Sequence, residues 1–186
     1  MSLVLGYADS QTAIIMSDGR AGENGSVSEY CNKTRKINDN IIIGFVGYLE
    51  DSMYFIECIY SELGDKIKNC YIDDFLDIAA EGMNTYAESG DFKSTFLIIG
   101  RTSLGKMKTC ICGRTTNYCM QIHTLLESKG RILSIGGTID ADIIKKIYTD
   151  NFSDKTTSIP YRMVKTIKEV SKLDNSVNEN CFKSFI

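Results

Sequence analysis

Residues 41–46, which read Ile-Ile-Ile-Gly-Phe-Val, constrain the fold of this chain more than any other segment. The run is almost entirely apolar, and it follows the turn-forming triplet Asn38-Asp39-Asn40. A strand with one solvated face alternates polar and apolar residues, whereas an unbroken apolar run of this length is typical of a strand buried on both faces. We therefore predict a strand in a sheet that other layers cover on both sides.

Strand-like and helix-like segments follow one another in blocks. Short β-rich runs predict strands over 3–8, 12–17, 26–30, 33–37, 41–46, 95–100, 106–113, 117–125, 132–135 and 181–186. Apolar residues at spacings of three and four predict helices over 53–63, 73–89, 139–148 and 161–173. The order of strands, two helices, strands, two helices and a strand predicts an α+β fold, in which two stacked antiparallel sheets lie between helix layers.

Length and composition favour one domain over residues 1–186, because 186 residues with 43% hydrophobic content suffice for one core. The net charge of −3 is small and the Lys and Arg residues are scattered. We therefore expect neither nucleic acid nor an anionic membrane as a partner. No apolar run predicts a membrane span or a signal peptide, so we expect a cytoplasmic protein.

The seven cysteines predict neither a metal site nor a disulfide framework. None forms a C-x-x-C pair, and the chain has one histidine, so the ligands of a zinc site are missing. We expect most of them to be small buried apolar groups in a reducing cytosol. No cofactor is predicted.

Chemically useful residues concentrate near the start of the chain. The stretch Asp18-Gly19-Arg20-Ala21 follows an apolar strand, Ser2 directly precedes the first predicted strand, and Lys33 and Gly44 lie on later ones. A hydroxyl, a carboxylate, a cation and a small residue together suggest a hydrolase site built on strands.

Each of these residues also has a plain structural interpretation. Asp18-Gly19-Arg20 alone is typical of a surface turn, and Lys33 of a solvated strand end. Gly44 can be explained as a glycine required by close packing. Arg20 can be explained as the partner in a structural salt bridge, and Asp174 as part of an ordinary turn after a helix. Their order and spacing, rather than any single residue, favour the functional interpretation.

That order resembles proteasome β-subunits and their bacterial relative HslV, which are N-terminal nucleophile hydrolases with an αββα sandwich. The resemblance covers nearly the whole chain and is strongest over residues 2–63. It rests on Ser2 at the start of the first strand, the Asp18-x-Arg20 motif, Lys33 heading Lys-Thr-Arg-Lys-Ile, the run 44–47 reading Gly-Phe-Val-Gly, and Asp174 after the last long helix.

The resemblance implies a role for each position. Ser2 would be the nucleophile, and its own α-amino group the base, since an α-amino pKa near about 7.7–8.0 leaves a neutral fraction. Lys33 would lower the pKa of both groups, and Asp18 would hold Lys33. Gly44 would donate its N–H to the oxyanion. Asp174 would orient the amine, and the supporting residues are Arg20 and Ser176.

The chain departs from the family pattern in two places. Gly137 stands where the family has the serine of a Gly-Ser-Gly turn, and Val177 stands where it has a serine after the second aspartate, although Ser176 lies beside it. Ser2 must also be N-terminal to act, so we expect Met1 to be trimmed. Alternatively, Met1-Ser2-Leu3 replaces a native start whose nucleophile is Thr, Ser or Cys, or that has none.

Three functions follow from the resemblance. The first is a serine- or threonine-type peptidase that acts on peptides or proteins, assembled as a homo-oligomeric ring with a possible ATPase partner. The second is a catalytically inactive scaffold or binding subunit. The third is a small-amide hydrolase or acyltransferase that uses the same centre.

Overall fold

Two sheets form the middle of the molecule in the computed structural model, which describes residues 2–23, 26–125 and 130–186. The four-stranded sheet has the order β10-β1-β2-β11, and all its pairs are antiparallel. Its strands are β1 Leu3–Ala8, β2 Ala13–Asp18, β10 Arg131–Gly136 and β11 Cys181–Phe185. The first two strands predicted from the sequence thus form a hairpin that is its central pair.

The second sheet has five antiparallel strands in the order β5-β6-β7-β8-β9. Its strands are β5 Thr34–Lys36, β6 Ile41–Val46, β7 Thr95–Arg101, β8 Met107–Gly113 and β9 Gln121–Thr124. A separate two-stranded hairpin, β3 Ala21–Glu23 with β4 Ser26–Ser28, follows the Asp18 end of β2.

Helices cover the outer faces of both sheets. Their bounds are α1 Leu49–Leu63, α2 Ile72–Ser89, α3 Ala141–Ser153 and α4 Ile159–Ser171, and Gly64–Lys68 and Arg114–Thr116 form short 3-10 helices. Apolar residues of α1 and α2 form one buried cluster with the five-stranded sheet. Those of α3 and α4 form another with the four-stranded sheet. The fold is therefore the predicted αββα sandwich.

Strand β6 shows why its sequence is continuously apolar. Ile43 and Phe45 pack towards the helices α1 and α2. Ile42 and Val46 point the other way, into a third cluster between the two sheets that also contains Ile15 of β2. Both faces of β6 are thus buried, as predicted, and burial of these side chains stabilises the stacking of the sheets.

Element boundaries differ from prediction in a few places. The first helix begins at Leu49, earlier than the apolar spacing indicated, and the strand predicted over 117–125 is confined to Gln121–Thr124. Asn117 and Tyr118 have φ values of 51° and 63°, in the left-handed region, and this interrupts the extended backbone.

The cysteines are less buried than expected. All seven are free thiols, and only Cys70, Cys110 and Cys112 are buried. The prediction that most would be core residues is therefore wrong. Within the residues that the structure describes, none of the helices combines the length and the apolar character needed to cross a membrane.

Candidate active site

Asp18 is the last residue of β2, a central strand of the four-stranded sheet, and its carboxylate is fully buried at the end of that strand. Its Oδ1 accepts a hydrogen bond from Leu3 N at 2.9 Å and one from Lys33 Nζ at 3.0 Å. Its Oδ2 accepts from Arg20 N at 2.9 Å. The carboxylate therefore joins the start of β1, the turn after β2 and the segment before β5.

Lys33 is the only cation in contact with Asp18 among the described residues. Its side chain is 4% exposed, so the interpretation of Lys33 as a solvated lysine is wrong. The ammonium donates to Asp18 Oδ1, to Asp18 O at 3.2 Å and to Arg20 O. Burial lowers the pKa of Lys33, and the neighbouring Asp18 carboxylate opposes that shift.

Ser2 lies beside this ion pair. Its hydroxyl donates to Arg20 O at 3.0 Å, the same carbonyl that accepts from Lys33 Nζ. Ser2 is buried, and the shared acceptor makes its Oγ a neighbour of the ammonium. The structure thus brings together Ser2, Asp18 and Lys33, while Met1 lies outside the described residues.

A turn after β10 holds the main chain of Ser2. Gly137 N donates to Ser2 O at 2.8 Å. Gly136 and Gly137 have φ values of +88° and +84°, and a Cβ at Gly136 would lie 1.9 Å from Ser2 O. Only glycine at 136 therefore allows the turn to approach Ser2 this closely.

Asp174 lies next to the same turn and is buried. Its Oδ1 accepts from Thr138 Oγ1 at 2.6 Å, from Ser176 Oγ at 2.6 Å and from Ser176 N at 2.9 Å. Its Oδ2 accepts from the Thr138 and Ile139 amides. Burial alone would raise the pKa of Asp174, but the hydrogen bonds from Ser176 and Thr138 hold it well below its usual 3.8.

This shift predicts a pH dependence of stability. The folded-state pKa of Asp174 lies below the unfolded value, so its contribution is complete above about pH 4 and is lost as the pH falls towards the folded value. We expect Asp174→Asn to lower the unfolding free energy by about 2 kcal/mol at pH 7. The difference from wild type should shrink at pH 3, as measured by urea denaturation. A constant difference at both pH values would contradict this assignment.

Arg20 points away from the nucleophile. Its guanidinium pairs with Glu29, with 2.8 Å between Nη2 and Oε1, and donates to Asn175 O. Asn178 also donates to Glu29, and it accepts from Gly19 N at 2.8 Å. The interpretation of Arg20 as a salt-bridge partner is confirmed, and the network ties the turn after β2 to the segment that follows Asp174.

The hydrogen bonds of β6 show which of its amides face which neighbour. Phe45 N donates to Lys33 O at 3.1 Å, so the odd-numbered main-chain groups face the β5 side. On the other edge Arg101 N donates to Asn40 O at 2.9 Å, so the even-numbered groups face β7. The alternation is that of an ordinary antiparallel ladder.

Gly44 does not suit the oxyanion role expected for it. The register pairs it with Leu97 of β7, and its N–H faces that strand. A Cβ at Gly44 would lie 2.7 Å from both Ile15 Cγ2 and Val4 Cγ1. We correct the expectation accordingly: Gly44 is a packing glycine between the sheets, and its amide belongs to the ladder.

The main-chain N–H of Gly47 is better placed than that of Gly44 to donate a hydrogen bond to an oxyanion. It directly follows β6, its amide is the next one on the β5 side, and among the described residues this N–H has no hydrogen-bond acceptor. Its φ of +112° and the 2.3 Å from its Cβ position to Lys93 O require glycine. The Cβ position of Gly136 lies 2.9 Å from Val46 Cγ1 and 1.9 Å from Ser2 O, so this end of β6 adjoins Ser2.

Comparison with known proteins supports the fold. A family model described as proteasome subunit matches residues 2–85. Eukaryotic HslV from Trypanosoma brucei superposes with a TM-score of 0.72 at 14% identity, covering 98% of this chain and 98% of that one. The first part of the chain thus matches proteasome subunits in sequence, and the whole chain shares the fold of HslV.

A second solved relative extends the likeness of the fold. Anbu from Hyphomicrobium sp. strain MC1 superposes with a TM-score of 0.70 at 10% identity, covering 99% of this chain and 81% of that one. No curated protein sequence matches the chain. The chain therefore shares the architecture of both solved proteins at low sequence identity.

The two departures from the family pattern have neighbours that supply hydroxyls. Gly137 lacks a side chain, but Thr138 donates to Asp174, and Val177 lacks a hydroxyl, but Ser176 donates to the same carboxylate. Sequence reasoning recorded Ser176 and missed Thr138. A hydroxyl directly after the glycine pair was the available signal.

Sequence reasoning named Gly47 only as the end of the Gly-Phe-Val-Gly run and gave it no role, and it missed Glu29 and Asn178. The contacts of Glu29 with Asn178 join segments that are far apart in the chain, so no local pattern marks these two residues. Over residues 2–23, 26–125 and 130–186, no group of three or more His, Cys, Asp or Glu side chains is arranged to hold a metal ion.

Proposed function

We propose that this chain is an N-terminal nucleophile hydrolase that cleaves peptide bonds through the Ser2 hydroxyl. The observation that carries the proposal is the buried Asp18–Lys33 ion pair, which shares the Arg20 carbonyl with Ser2 Oγ. A buried cation needs a functional or structural reason, because leaving water is costly for it even when it is paired.

The chemistry requires a free amino group at Ser2. A serine hydroxyl is a weak nucleophile and needs a base, and an α-amino group with a pKa near about 7.7–8.0 supplies one at neutral pH. The Lys33 ammonium favours the deprotonated forms of both groups. The amide of Gly47 would stabilise the oxyanion, and such a donor is typically worth about 2.7–4 kcal/mol of barrier.

We expect protein that begins at Ser2 to form a covalent adduct at this residue with a peptide β-lactone. Intact-mass measurement and peptide mapping locate the adduct. Ser2→Ala should abolish it, whereas Ser10→Ala, which removes an exposed hydroxyl, should label at the wild-type rate. Absence of an adduct and of peptide hydrolysis in folded protein beginning at Ser2 would refute the proposal.

An inactive scaffold is the second candidate, and one observation favours it. Ser2 Oγ donates its proton to Arg20 O, and among the described residues Asp174 makes no hydrogen bond to Ser2. A stable oligomer with no turnover and no adduct would support the scaffold. The third function is a small-amide hydrolase or acyltransferase. Hydrolysis rates for a panel of acyl amides, compared with those for peptides, distinguish it from a peptidase.

We further propose that copies of the chain assemble into a ring, because its first part matches proteasome subunits in sequence and its fold is that of HslV. The substrate would be a peptide or protein, and an ATPase is a possible partner. Seven free thiols fit a reducing compartment such as the cytoplasm. Analytical ultracentrifugation decides the assembly, since a monomer would argue against the ring.

A further inference from the structure

The peptide group that joins Ser2 to Leu3 is held from both sides. Its carbonyl oxygen accepts from Gly137 N at 2.8 Å, and its N–H, which belongs to Leu3, donates to Asp18 Oδ1 at 2.9 Å. A peptide group is planar, so two opposed hydrogen bonds fix its orientation. The direction in which the Ser2 side chain leaves the backbone is then narrowly limited.

The residue after Gly137, Thr138, fixes the position of the turn through hydrogen bonds to Asp174. Thr138 donates to Asp174 twice, through its amide and through Oγ1 at 2.6 Å. Asp174 is buried and carries a depressed pKa, so at neutral pH these are hydrogen bonds to a charged acceptor. Thr138 therefore anchors the turn whose amide holds Ser2 O.

A side chain at position 137 would be strained, because a φ of +84° is rare for residues other than glycine. Its Cβ would lie 2.6 Å from Ile144 Cδ1 and 3.4 Å from Asp174 Oδ2. In this turn, a hydroxyl that reaches Asp174 comes from the following residue.

We propose that Thr138 is a positioning residue for the Ser2 nucleophile. Its hydroxyl and amide fix the turn on Asp174, and through the Gly137 amide the turn sets the orientation of the Ser2–Leu3 peptide group. In this arrangement Asp174 acts on Ser2 through the turn rather than through a direct bond. The inference rests on the proposed role of Ser2 as nucleophile.

Thr138→Val removes the hydroxyl at nearly constant volume. In protein beginning at Ser2, we expect this variant to slow β-lactone labelling about tenfold to a hundredfold, because small misplacements of a reacting group cost that much. Hydrogen exchange of the Gly137 amide, measured by NMR, should accelerate about tenfold. Thr138→Ser keeps the hydroxyl and should restore both quantities.

A matched control is available in the segment after α3. Thr156, which is exposed as Thr138 is, also donates its amide and its hydroxyl to an aspartate, Asp154, but it lies at the far end of that helix from the turn. Thr156→Val should change neither labelling nor Gly137 exchange.

The labelling rate and the Gly137 exchange rate together distinguish a failure of the positioning proposal from a failure of the proposed role of Ser2. Unchanged Gly137 exchange in Thr138→Val would overturn the positioning proposal, whatever the protein's activity. Faster exchange with unchanged labelling would overturn it too, because Ser2 would then be placed without the turn. No labelling in wild type, together with faster exchange in Thr138→Val, would overturn the nucleophile role and leave the anchoring of the turn supported.

Discussion

Lys33→Met should abolish covalent labelling at Ser2 and lower the free energy of unfolding by about 3–5 kcal/mol. The substitution leaves Asp18 fully buried without its ion-pair partner, and the remaining donors to its carboxylate are main-chain amides. In the proposed mechanism, it also removes the cation that would lower the pKa of the Ser2 hydroxyl. Chemical denaturation measures the first effect and mass spectrometry the second.

Two control variants separate the effect of Lys33 on the free energy of unfolding from its effect on labelling at Ser2. Lys36→Met breaks an exposed ion pair with Asp39, 2.7 Å between Nζ and Oδ1, and should cost less than about 1 kcal/mol without affecting labelling. The double variant Asp18→Asn/Lys33→Met removes both buried charges, so it should recover much of the lost stability but remain unlabelled. Wild-type labelling in Lys33→Met would contradict the role of the ammonium.

Most of the fold could be predicted from the sequence, because its strands and helices have clear hydrophobic periods. The prediction for 41–46 matches β6 at both ends, since burial on two faces leaves an unbroken apolar signature. The prediction for 117–125 failed in part, because the left-handed backbone at Asn117 and Tyr118 depends on local turn geometry that the apolar pattern does not report.

The candidate site was predictable only where order along the chain determines proximity. Ser2 and Asp18 lie at the beginning and the end of the first hairpin, so antiparallel pairing brings them together at its open end. The choice between Gly44 and Gly47 depends on which amides of β6 face β5, and that alternation follows from register rather than from a Gly-x-x-Gly pattern. The Thr138 contact with Asp174 joins distant segments, which no local signal reveals.

Gly136→Ala is expected to have an effect on stability as large as that of Lys33→Met, although it removes no interaction. The new Cβ would lie 1.9 Å from Ser2 O, and Gly136 is paired with Leu3, the next residue, so the start of β1 must move. We expect a loss of about 3–5 kcal/mol in unfolding free energy, and no labelling at Ser2. Thermal and chemical denaturation measure the loss.

Gly105→Ala distinguishes this overlap from the strain of a left-handed alanine. Gly105 has a φ of +74°, close to the +88° of Gly136, but a Cβ there meets nothing within 4 Å. It should therefore cost only about 1–2 kcal/mol and leave labelling intact. Equal losses in the two variants would show that backbone strain alone sets the cost at Gly136. A larger loss at Gly136 would mean that close approach to the Ser2 carbonyl is what requires glycine there.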